Sequence, residues 1–165
     1  MVTKEKIMEF IIQHFKDVGR EGGLSLREAD VLQRQDTEAE REKARILDDD
    51  LNWQDVSIDD LKRFQVLPYL DPIGFRYYLP AYMLWILKEY DRVDPDILIP
   101  TIRSLIPTGQ ERLNAFDKVS TLNQQQAETV AFFLEFLMEN HPDDAVWSVA
   151  QAALESYWQR FFYRH

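Results

Sequence analysis

Apolar positions recur along this chain at three- and four-residue spacing. Ile7, Ile11, Phe15 and Val18 follow one another at four, four and three residues, after Thr3 as a candidate N-cap and before Gly19, Gly22 and Gly23. That spacing predicts an amphipathic helix over 4–18. Ser25-Leu-Arg-Glu28 has the form of a capping box, in which a serine hydroxyl and a glutamate carboxylate satisfy free amides at a helix start. A helix to about Arg34 is expected behind it. Thr37-Glu-Ala-Glu40 repeats the signal, so a charged helix is expected from Glu38 to Leu47. Few apolar residues anchor 33–43, and the segment at about 33–50 is expected to be the most mobile part of the molecule. Ser57 caps a short helix with Ile58, Leu61 and Phe64 facing inward.

The most apolar run follows, from Asp71 to Tyr90. Asp71-Pro72 pairs an N-cap with a proline at the first helical position. Gly74, which costs about 1 kcal/mol against alanine inside a helix, reads as a point of close backbone packing. Pro80 reads as a joint, because proline supplies no amide and disfavours helical geometry before it. A second helix is expected to open there and run to Tyr90. Its apolar residues surround it from Ala81 to Leu87, the pattern of a helix enclosed by others. Asp94-Pro95 starts a helix to about Leu105, bent or interrupted near Pro100. Residues 106–121, with Leu113, Phe116 and Val119 as sparse anchors, read as loop with some helical turn. Asn123-Gln-Gln-Gln126 is another capping box, His141-Pro142 ends the helix it opens, and 143–162 form the last one. The fold class is all-α: a single domain, 1–165, of about seven helices around the helix starting at Pro80.

Composition narrows the activities. A chain of 165 residues fits one domain that buries its own core. It has no cysteine, which removes disulfides, thiolate metal sites and thiol nucleophiles and suits a reducing, cytoplasmic setting. No signal-peptide core precedes Gln13, and the apolar run Tyr77 to Leu87 is shorter than a bilayer span. The formal charge is -10, and residues 21–60 carry 13 acidic against 5 basic side chains. Such a surface repels nucleic-acid phosphate and anionic lipid; it permits a basic protein partner, and more commonly it serves simply to keep a protein in solution.

The segments Ala44-Arg-Ile-Leu-Asp48, Trp53-Gln-Asp-Val56 and Leu70-Asp-Pro-Ile-Gly-Phe-Arg-Tyr-Tyr-Leu-Pro-Ala-Tyr-Met83 resemble an uncharacterised bacterial family, domain of unknown function 6714. The resemblance covers most of 20–140. It implies a small helical protein and transfers no catalytic residue.

Candidate chemistry is sparse. Arg76 is the one charged side chain between Pro72 and Leu87. It is either the anion-recognising centre of a pocket edged by Tyr77, Tyr78 and Tyr82, or a structural residue paired with Asp71, Asp55 or another early carboxylate. Aromatics at this spacing also serve as core. Asp48-Asp49-Asp50 lacks the EF-hand pattern and reads as a solvated turn rather than a cation site. His14, His141 and His165 stand in separate elements without metal-ligand spacing, so no metal or cofactor is expected. Serine-nucleophile and phosphate-loop motifs are absent. The aromatic tail of Tyr157, Trp158, Phe161, Phe162 and Tyr163 either docks on the domain or supports a homodimer. The expectation is a non-enzymatic, acidic binding or regulatory protein, with a small-ligand pocket at Arg76 as the alternative.

Overall fold

In the computed structural model, which describes residues 2–107 and 118–163, helix α5 spans Pro72–Lys88 without interruption. Asp71 caps it through a bond from the Gly74 amide. Pro80 therefore lies inside one helix and is not the joint between two. The missing amide and the ring clash are outweighed because the helix is enclosed: Tyr77, Tyr78, Leu79, Tyr82 and Ile86 are fully buried, as is Pro80 itself. Packing on all sides holds a backbone that proline would break in an isolated helix.

Seven further α-helices lie among the described residues, and none of these residues forms a strand. They are α1 (Lys4–His14), α2 (Leu26–Gln33), α3 (Glu38–Leu47), α4 (Ile58–Arg63), α6 (Pro95–Arg103), α7 (Gln124–Asn140) and α8 (Asp144–Ser156). The caps fall where the side chains permit them. Thr3, Thr37 and Ser57 each accept the amide three residues on, and both Ser25–Glu28 and Asn123–Gln126 close reciprocal capping boxes. Pro100 is also carried inside a continuous helix, α6. The last helix is shorter than expected: α8 ends at Ser156, and a 3-10 segment, Trp158–Tyr163, continues from it. Of the expected loop at 106–121, the portion at 108–117, with Leu113 and Phe116, lies outside the described residues, as does His165.

One hydrophobic cluster runs from α1 to the aromatic tail. α1 packs on α5 and α7, α7 on α8, and α6 on α8. Two buried indoles anchor connections to this cluster: Trp53 Nε1 donates to the Phe15 carbonyl and Trp158 Nε1 to the Leu105 carbonyl, both at 2.8 Å. Each satisfies its one polar atom while burying a large apolar body. Phe161 is buried and Phe162 lies against Phe132, so these tail residues are spent on the core. Ile58 departs from expectation: it is exposed, and α4 turns only Leu61 inward, with Phe64 buried just beyond it.

Gly74 fulfils its reading. A Cβ there would lie 2.6 Å from the Leu24 carbonyl oxygen, and one on Gly23 would lie 2.8 Å from the Gly74 amide nitrogen. The chain entering α2 thus crosses α5 backbone against backbone, and Asp71 Oδ1 ties the crossing by accepting the Leu24 amide at 3.0 Å.

Candidate functional site

That crossing brings residues 20–28 over the tyrosine face of α5. Arg20 reaches in from the glycine-rich turn, donating from Nη1 to the Tyr78 hydroxyl at 3.0 Å and from Nη2 to the Asp48 carbonyl at 2.8 Å. Its guanidinium lies 3.6 Å from Asp50 and over the Tyr77 ring. Tyr77 donates its hydroxyl proton to Asp50, and Tyr82 donates to the Phe64 carbonyl. Tyr78 also accepts the Leu26 amide. Burial raises the pKa of all three tyrosines above the ordinary value, and the Asp50 carboxylate adds to the rise at Tyr77 and Tyr78. Burial alone would lower the Arg20 pKa, but the Tyr78 hydroxyl and Asp50 outweigh it, and the net direction is upward.

Two further arginines hold the acidic segment down. Arg45 Nη1 bonds Glu28 Oε1 at 2.6 Å and the Gly23 carbonyl at 3.0 Å, while Arg27 engages both Asp48 and Asp60. The aspartate triplet is thus not a solvated turn. Asp48 is buried and Asp50 half-buried, each facing an arginine, and Asp49 alone is exposed.

Arg76 points away from this network. It shares neither a hydrogen bond nor an ion pair with Asp71 or Asp55; Asp71 is occupied by the Leu24 and Gly74 amides, and Asp55 accepts from Asn52. Its Nε is the one buried side-chain nitrogen or oxygen without a hydrogen-bond partner among the described residues. Arg76 lines a polar cavity of about 300 Å³ between the end of α1, with Gln13 and Lys16, and the start of α7, with Asn123 and Gln126. His14 closes one side, its Nδ1 2.9 Å from the Thr129 hydroxyl. That hydroxyl already donates to the Gln125 carbonyl, so His14 is the donor between them. Tyr77, Tyr78 and Tyr82 do not line this cavity. The four residues grouped by sequence divide into a structural tyrosine set and a separate arginine.

A third feature lies on the acidic segment. Ile46 (78% exposed), Leu47 (67%) and Leu51 (87%) stand in solvent within six residues of one another. Glu42 and Asp49 beside them are exposed and form no ion pair among the described residues. The sequence reading assigned the charges here and passed over the three apolar residues, although an Ile-Leu pair ending a helix whose only buried residue is Ala44 was a readable sign.

The chain belongs to a family whose model, described as Family of unknown function (DUF6714), matches residues 3–162. No curated protein and no solved structure matches it. Among the described residues, no helix is long and apolar enough to cross a membrane.

Proposed function

We propose that this member of the family is a non-enzymatic protein that binds a protein partner through α3 and the turn behind it, the partner contributing a basic amphipathic segment. The carrying observation is the exposure of Ile46, Leu47 and Leu51 beside the unpaired carboxylates Glu42 and Asp49. Exposed apolar groups of this size clustered on one segment suit a site covered by another molecule. The negative rim selects the sign of that molecule and speeds encounter. The support beneath is fixed: Arg45 reaches from α3 to Glu28 and two carbonyls of 21–23, and Arg27 grips Asp48 just past the helix end.

The test is affinity capture from the native host with the wild-type chain and with a Leu47→Lys/Leu51→Lys variant, at low and high salt. The reading expects a basic protein retained by the wild type, released by salt and not retained by the variant. Capture that the variant does not weaken, or that salt does not affect, overturns it.

A further inference from the structure

We infer that the cavity at Arg76 is a binding site for a small carboxylate. This inference stands on residues of α1, α5 and α7, so it is independent of the partner surface on α3. Arg20, Arg27 and Arg45 each meet an internal carboxylate. Among the described residues Arg76 meets none, and its Nε is shielded from water without a partner. One guanidinium N–H buried without an acceptor carries a desolvation cost, and an oxyanion at this half-buried side chain offsets it. The backbone that carries the arginine is held in place, because Phe75 and Tyr77 on either side of it are fully buried.

The lining suits one class of ligand. A guanidinium presents a planar fork that takes both oxygens of a carboxylate. The amide side chains of Gln13 and Asn123 offer further donors, and Lys16 supplies a second cation. Gln126 is committed, donating through Nε2 to the His14 carbonyl at 3.1 Å, which fixes that wall. Asp17 and Glu21 also border the cavity, so its formal charge with neutral histidine is zero. Two carboxylates at the rim penalise a dianionic phosphate more than a singly charged carboxylate. The volume of about 300 Å³ lies at the small end of ligand sites.

The experiment is a titration of the ¹⁵N-labelled chain with acetate, a singly charged carboxylate, and, separately, with inorganic phosphate, against sodium chloride at matched ionic strength. The Arg76 Nε–Hε signal and the Gln13 and Gln126 side-chain amides are followed. Acetate is expected to shift these signals saturably, with affinity reduced about tenfold or more by Arg76→Lys, which keeps the charge and loses the fork. Lys16→Gln, at an exposed site, is expected to weaken binding to a lesser degree. Saturation by phosphate alone overturns the carboxylate assignment. Shifts identical to those in chloride, or spread over the molecule, overturn the site. If Arg76→Lys does not fold, the wild-type titration with Lys16→Gln decides.

Discussion

Arg27 and Asp48 meet twice: the Arg27 amide donates to Oδ2 at 2.8 Å, and Nη1 donates to Oδ1 at 2.5 Å. One carboxylate just past α3 therefore satisfies a free amide in the first turn of α2 and neutralises the side chain of the same residue. The position also suits the positive end of the α2 dipole. Asp48→Ala removes both bonds and leaves Arg27 with Asp60 alone. The expected loss is about 3 kcal/mol, because a buried pair is broken from one side. Urea denaturation measures it, and a loss below about 0.5 kcal/mol contradicts the assignment of Asp48 as the hinge pin of α2 and α3.

Gly74→Ala sets two effects against each other. Alanine gains about 1 kcal/mol of helix propensity. Its Cβ, however, would sit 2.6 Å from the Leu24 carbonyl and 2.9 Å from Asp71 Oδ1. Backbone cannot swing aside as a side chain can, so a net destabilisation of about 1–3 kcal/mol is expected, as for other overpacked sites. A melting temperature equal to or above wild type would show that the crossing yields.

The tyrosine face dictates a response to alkali. Tyr77, Tyr78 and Tyr82 have folded-state pKa values raised above the ordinary 10.0, chiefly by burial. The folded state then holds protons that the unfolded state releases. Their contribution is fully present below about pH 10 and is lost as pH rises from there towards the folded-state values, by up to about 1.4 kcal/mol per pH unit for each tyrosine. Denaturant midpoints measured from pH 9 to 11.5 should fall beyond pH 10, with these three of the chain's seven tyrosines adding their tyrosinate absorbance only on unfolding. A midpoint independent of pH across that window refutes the burial of these hydroxyls and the donor roles of Tyr77 and Tyr82.

Exposure separates two large apolar residues. Leu51 is 87% exposed and Trp158 is fully buried with its indole bonded to Leu105. Leu51→Gln should change stability by no more than about 0.5 kcal/mol. Trp158→Ala should cost about 3–5 kcal/mol. Differential scanning calorimetry of the two variants distinguishes them, and comparable losses would mean that the α3 face packs on the molecule after all.

What could be read in the sequence was local. Thr3, Ser25, Thr37, Ser57, Asp71 and Asn123 each cap a helix within three residues of themselves, and each was identifiable from its neighbours. Pro80 was misread for the complementary reason. Its effect on a lone helix is local, but the enclosure that overrides it comes from elements distant in the chain. The same limit explains Arg20, which sits in a glycine-rich turn with no periodicity to mark it and finds Tyr78 58 residues away. Arg76 stood out as a lone charge in an apolar run, yet the helix face that decides its neighbours was set by the packing of α1 and α7 around it. Asp48 and Asp50 looked solvated because no sequence rule pairs them with Arg27 and Arg20.

The junction of α1 with α7 bears on synthesis. Gln126 bonds the His14 carbonyl across 112 residues of chain. At roughly 5–20 residues per second, α1 waits about 6–22 s on the ribosome before α7 emerges to cover it. Throughout that interval Ile7, Ile11 and Phe15 have no completed site to occupy. Until α7 emerges the first helix has α5 but not α7 to pack on, and a cut anywhere before α7 removes one of its two helical supports.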